Sequence, residues 1–266
     1  MALLVAERAV RDRRRGFVGW ALGIGAYVAL MASVYPAVQS SDLQRAVRSY
    51  PKELKAFFGG TGAFDVSTGA GYLNVELFSL VVPALLTICA IGYAAATLAG
   101  EEESGCMDLL LANPLTRGRV VLEKIGGLVV TIAGLAAVVS VSLSVVGALA
   151  DLDVGIDRVV IASIGAALAA LLVGLVALLA GAATGSRAFA IGAGTAVFAA
   201  SYLIVGLAGL VSWIEPLRVV SPLYHANGTQ PLRHGLPVGN YALLVALCVA
   251  MITGVVAVFD RHDLTR

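Results

Sequence analysis

Charge is scarce in this chain. Of its 266 residues only 13% are Asp, Glu, Lys or Arg, while 59% are hydrophobic; a soluble domain carries about a quarter charged residues. Six long apolar segments, roughly 17–38, 77–99, 125–150, 159–183, 188–211 and 241–259, contain no Asp, Glu, Lys, Arg, His, Asn or Gln at all. That absence argues against ion-coupled transport, which needs carboxylates, histidines or polar unwound helices at membrane depth. The net charge of +1 argues against an electrostatic nucleic-acid binder. Cys89, Cys106 and Cys248 are scattered, with no CxxC and no Cys/His cluster, so neither a disulfide framework nor a zinc site is supported. His225, His234 and His262 fall in loops or the tail without ligand spacing. No Gly-x-x-x-x-Gly-Lys-Ser/Thr run is present, so these residues build no phosphate-cradling P-loop.

The apolar segments are what the sequence has in abundance, and the mean hydropathy is +0.91. Each reaches about the 20 residues that a helix needs to cross ~30 Å of hydrocarbon. Without water to satisfy the backbone, such segments are helical. The expectation is an all-α polytopic membrane protein with six transmembrane helices, forming one domain over 1–266. The first segment follows a basic stretch, as a signal peptide would, but exceeds a signal's apolar core and reads as an uncleaved first helix. Eleven of the 18 Lys and Arg residues, including Arg8, Arg11, Arg13, Arg14 and Arg15, lie on the side of the N-terminus. This bias places both termini in the cytoplasm of a multi-pass plasma-membrane protein.

Between the first two segments, 39–76 form an outer loop. Leu43, Val47, Tyr50, Leu54 and Phe57 recur at helical spacing among Arg45, Arg48, Lys52 and Lys55. The result is an amphipathic helix, either lying on the outer membrane surface or packed against its own spans. Gly19-x-x-x-Gly23 and Gly181-x-x-x-Gly185 permit close helix contact, and Pro83 is placed to bend the second span. The outer stretch 212–240 contains Pro216, Pro222, Pro231 and Pro237, which exclude one long helix. Trp213 and Tyr224 within it are candidate interface anchors, and Asn227-Gly228-Thr229 fits a glycosylation sequon.

The densest polar stretch, EEESGCMDLLLANPLTRGRVVLEK, follows the second span at 101–124. Glu101, Glu102 and Glu103 suit a helix N-terminus, Leu109 to Leu111 offer an apolar face, and Asn113-Pro114 stops the helix. On its charges alone it reads equally as a solvated turn. The whole pattern, Glu-x-x-x-Gly-x-x-Asp-x-Leu-Leu-x-x-Pro-Leu-Thr-Arg from Glu101 to Arg117, resembles the cytoplasmic loop of ABC-2 type transporter permeases. Ser221-Pro222-Leu223-Tyr224-His225, Gly228 and Pro231-Leu232-Arg233-His234-Gly235 resemble the family's outer segment before the last helix. The Arg-Asp-Arg-Arg-Arg stretch at 11–15 and Asp260-Arg261-His262-Asp263-Leu264 resemble its termini. The resemblance covers nearly the full length. It implies an ABC-2 exporter fold with a short cytoplasmic coupling helix, a second permease (the same chain or a homologue) and two cytoplasmic ATPase subunits.

By that resemblance, Glu101, Glu102, Glu103, Gly105, Asp108, Leu109, Leu110, Pro114 and Arg117 form the ATPase-coupling loop. The chain departs from the family pattern at Cys106 and Glu123. No catalytic, cofactor or metal residue is assigned, and ATP and Mg are expected on the partner ATPase. The expected function is export of a hydrophobic or amphipathic substrate (a drug, an antibiotic or a lipid) by a subunit that is not itself an enzyme. An ion-coupled secondary transporter and a non-transport membrane assembly protein are the alternatives. An intramembrane enzyme is disfavoured, because Ser140, Ser142 and Ser144 have no base nearby in sequence.

Overall fold

The computed structural model describes residues 2–39, 49, 51, 66–97, 99–100 and 117–261, with side chains from Arg15. The predicted outer amphipathic helix and the acidic loop 101–116 lie outside the described residues. Among the described residues there is no strand. Helix α1 spans Ala2–Val38, α2 Gly69–Leu73, α3 Val81–Thr97, α4 Arg117–Leu149, α5 Ile156–Thr184 and α6 Arg187–Ala208. A 3₁₀ turn at Glu215–Val220 and the short helices α7 (Pro222–Asn227) and α8 (Pro231–His234) precede α9, Val238–Arg261. Six of the described helical stretches are long and apolar enough to cross a membrane: Arg15–Val38, Gly69–Thr97, Gly118–Leu149, Ile156–Thr184, Arg187–Ala208 and Val238–Phe259.

Helix α5 is the centre of the bundle. Of its most apolar window 61% is buried, against 17% for α1 and for α6, and it packs against α3, α4, α6, α7, α8 and α9. Its sequence explains this position. Gly165, Ala166, Ala169, Ala170, Gly174, Ala177 and Gly181 are all buried, and small side chains let neighbouring backbones come close. A Cβ on Gly174 would lie 2.9 Å from the Ala90 Cβ of α3, and one on Gly181 would lie 3.3 Å from the Ala190 Cβ of α6. Apolar packing and dispersion, rather than a hydrophobic drive, hold such contacts in lipid.

The second span begins earlier than the apolar run. It enters at Gly69, where the Thr68 hydroxyl accepts from the Gly71 N–H at 3.1 Å, and continues through a π-helical turn at Asn74–Phe78. Asn74 and Glu76 therefore lie within its outermost turns, where hydropathy alone placed a loop. Pro83 follows the π-helical turn. It has no N–H for the Ser79 carbonyl four residues before it, and its ring crowds that carbonyl. Separately, Ser79 donates both its N–H (2.7 Å) and its hydroxyl (2.8 Å) to the Asn74 carbonyl, which closes the π-helical turn. The irregularity of the second span is this π-turn, which lies upstream of Pro83. The third span is also longer than its apolar run. Arg117 and Arg119 sit inside α4, whose 33 residues extend about 50 Å.

Stretch 212–240 packs inward as three short pieces, each of the last two opened by a proline, Pro222 or Pro231. Ser221 caps α7, accepting from the Tyr224 N–H at 3.4 Å and donating to the Ser201 carbonyl of α6 at 3.1 Å. His225, expected in a loop, is buried in α7. Its Nε2 donates to the Val219 carbonyl at 2.7 Å, and its Nδ1 faces the Asn240 side chain at 3.3 Å. The Tyr241 hydroxyl donates to the Ile161 carbonyl of α5 at 2.9 Å and meets the Ala226 carbonyl of α7 at 3.3 Å. Gly165 lies beneath both groups, and a Cβ there would come within 2.7 Å of that Ala226 oxygen. Gly165 is nine residues, about 13 Å, beyond the start of α5, so α7 reaches well down the side of the bundle. Trp213 is exposed, as an interface anchor requires, whereas the Asn227 Oδ1 and Thr229 Oγ1 atoms of the sequon are buried.

Gly165→Ala should cost about 1–3 kcal/mol through overpacking. The cost should shrink in a Tyr241→Phe background, where the hydroxyl beneath the new methyl is gone. Thermal unfolding of the four proteins of that double-mutant cycle measures both effects.

Candidate functional site at the acidic-loop end of the bundle

Of the residues predicted to couple the chain to an ATPase, Glu101, Glu102, Glu103, Gly105, Asp108, Leu109, Leu110 and Pro114 lie outside the described residues. Arg117 is placed, as the first residue of α4. The structure does show the neck from which the loop departs and to which it returns. The chain leaves through Ala99 and Gly100. Ala99 is fully buried, and its Cβ would stand 3.4 Å from one built on Gly181 near the end of α5. A Cβ on Gly100 would lie 4.0 Å from the Arg187 Cδ at the start of α6. Three spans thus meet at Gly100.

The α5–α6 connection is as tight as the three residues Gly185-Ser186-Arg187 allow. Gly185 adopts φ 62°, ψ 8° and donates its N–H to the Gly181 carbonyl at 2.9 Å. This left-handed residue reverses the chain at a helix C-terminus, a conformation that costs other residues 1–2 kcal/mol. Ser186 then caps α6, its hydroxyl accepting from the Phe189 N–H at 3.3 Å. The Thr184 hydroxyl donates to the Ala180 carbonyl at 2.8 Å and accepts from the Ser186 N–H at 3.3 Å. These bonds satisfy backbone groups that a shorter turn would leave bare. Arg187 is thereby held beside Gly100 on a short, over-determined turn.

On the returning side, Arg119 and Glu123 pair at 3.3 Å one turn apart on α4. Both are more than half exposed, so the pair adds little stability. It gives Glu123, a departure from the expected pattern, a local partner. The long start of α4 carries Arg117, Arg119, Glu123 and Lys124 ahead of the apolar run.

Of the two glycine pairs read from the sequence as permitting close helix contact, one member does so. Gly181 mediates close contact and Gly185 makes the turn. At Gly19 and Gly23 a Cβ would meet nothing within 4 Å among the described residues. The glycines that bring spans together, Gly165, Gly174 and Gly194, carry no sequence signal that distinguishes them from the rest. Arg187 and Gly100 were likewise not predicted, and only their placement identifies them.

The family model for ABC-2 family transporter protein matches residues 3–264 of the chain. A search of the curated proteins found no match.

Gly185→Val should destabilise the protein by about 1–2 kcal/mol, and Gly185→Asn by distinctly less, because Asn tolerates the left-handed region. Melting temperatures of the two purified variants provide the comparison.

Proposed function

Because the chain belongs to the ABC-2 family of transporter proteins, and is thus an ABC transporter permease, we propose that it forms the transmembrane half of an exporter driven by a separate ATPase. The observation that carries this reading is the contrast between the spans and the loop end. The described spans pack through Ala, Leu, Val and Ile, and the six apolar runs carry no charged residue, whereas Glu101, Glu102, Glu103 and Asp108 follow directly after the second of them in sequence. Work then enters through the loop. In this reading Glu101, Glu102, Glu103 and Asp108 pair with basic ATPase residues, Leu109 and Leu110 supply buried contact, and Gly105 and Pro114 shape the element. ATP and Mg bind the ATPase.

The neck supports this reading mechanically. Ala99 and Gly100 lie close to Gly181 of α5 and Arg187 of α6, so in this reading a displacement of the loop is passed through them to the central helix. The termini and the loop face the cytoplasm, in keeping with the arginines of 8–15. A second permease pairs with this one, and α6, with Phe189, Ile191 and Leu203 exposed, leaves apolar surface for it. Apolar walls suit a hydrophobic or amphipathic cargo.

The ion-coupled alternative draws on one observation, the placement of Glu76 and Asn74 in the second span. Glu76 is exposed at the outermost turns of that span, away from the loop end. Glu76→Gln should leave ATP-dependent transport unchanged. Loss of transport in that variant, together with sensitivity to proton-gradient collapse, would favour ion coupling.

Glu102→Lys combined with Glu103→Lys should reduce ATPase co-purification by at least about tenfold, the effect of losing roughly 1.4 kcal/mol of binding, with membrane insertion intact. Undiminished co-purification would overturn the coupling assignment.

A further inference from the structure

The glycines of α1 at which a Cβ would meet no described residue within 4 Å line a groove. Gly16, Gly19 and Gly23 form its floor, Trp20, Ile24 and Tyr27 stand along α1 beside them, and Val81 and Leu85 of α3 make the facing wall. Its volume is about 650 Å³, within the range of pockets that hold small molecules. It is open on one side, along a span most of whose surface faces outward.

Arg15 closes one end of the groove. Its side chain is exposed, and among the described residues no carboxylate pairs with it. Arg11, Arg13 and Arg14 precede it in sequence. From Arg15 to Tyr27 the groove follows α1 for twelve residues, about 18 Å, comparable to half of a ~30 Å hydrocarbon core. The geometry is therefore a cationic end, at the point where the apolar part of α1 begins, joined to an apolar trough one leaflet deep.

We propose that this α1–α3 groove binds an anionic phospholipid, with the phosphate on Arg15 and an acyl chain laid over Gly16, Gly19 and Gly23 between Trp20, Tyr27 and the α3 wall. Charge complementarity selects the occupant. A guanidinium presents a planar fork of donors to phosphate oxygens, and basic residues at a membrane surface enrich anionic lipid. The absence of side chains at the three glycines is what makes room for the chain, because a Cβ at none of them meets anything within 4 Å. The aromatic rings of Trp20 and Tyr27 offer flat apolar walls with polar edges. Binding there would hold lipid against the span that borders the π-turned second span. The inference does not depend on the ATPase reading, since no partner subunit is needed to test it.

The two tryptophans are Trp20 and Trp213, so Trp213→Phe leaves Trp20 as the sole indole reporter. The full chain carrying that change is reconstituted in nanodiscs, with bromines on the lipid acyl chain at the depth of Trp20, about 7 Å along α1 from Arg15. Brominated phosphatidylglycerol should quench Trp20 with about fivefold enrichment over brominated phosphatidylcholine. Arg15→Gln, at an exposed position, should abolish the preference while leaving the emission maximum in place. Gly19→Leu, which fills the trough, should reduce quenching by both lipids. Equal quenching by the two lipids would overturn the proposal. So would a preference that survives Arg15→Gln.

Discussion

Everything in this fold depends on how closely its helices approach α5. In a lipid environment the spans gain nothing by hiding apolar surface from one another, since lipid is as apolar as leucine. What binds them is contact density, and contact density requires small side chains where backbones meet. Gly165, Gly174 and Gly181 of α5 provide it against α7 and α9, α3, and α6 respectively. The arrangement tolerates a long α4 and an irregular second span because α5 collects the contacts of both.

That centrality gives the loop end its mechanical character. Ala99 and Gly100 are seated against the last turn of α5 and the first of α6, and Gly185 and Ser186 make the intervening connection rigid. Gly100 and Ala99 thus sit beside the centre of the bundle. At the other end, Arg158 of α5 donates to the Arg233 carbonyl at 2.8 Å and Arg233 to the Thr68 hydroxyl at 3.4 Å. These bonds tie α8 to the start of the second span. The bundle is thus clamped at both ends of α5, while the α1–α3 side is left open and holds the groove. Tyr72 of α2 secures the far part of α1 by donating to the Met31 carbonyl at 2.8 Å, and α1 packs on α4 through Phe17 against Gly134 and Gly25 against Val138 and Ser142, so its glycine face toward α3 is the side left open.

Sequence and structure agree where the physical signal is dense. A run of twenty apolar residues has one solution in a bilayer, and six such runs appear as six spans. They part where a polar residue interrupts a helix. Asn74 and Glu76 read as loop, yet the helix continues through them, because Thr68 caps its start and the Ser79 N–H and hydroxyl hold the Asn74 carbonyl in a π-turn. The charged Arg117 and Arg119 read as loop for the same reason, yet they are already helical. The prolines of 212–240 correctly excluded one long helix, but their spacing held no information about depth.

The sequence by itself determined the class of protein, the number of spans, the family resemblance and the position of the acidic loop. These follow from composition and order along the chain, which hydropathy and motif spacing record directly. Only the tertiary structure decided which glycines are contacts, which is a turn and which line a groove. The thirty glycines are identical residues, and what distinguishes them is the neighbour each one meets. The same holds for Arg187 beside Gly100 and for His225 within α7. Their roles arise from proximity between segments distant in sequence, a quantity that local patterns do not contain.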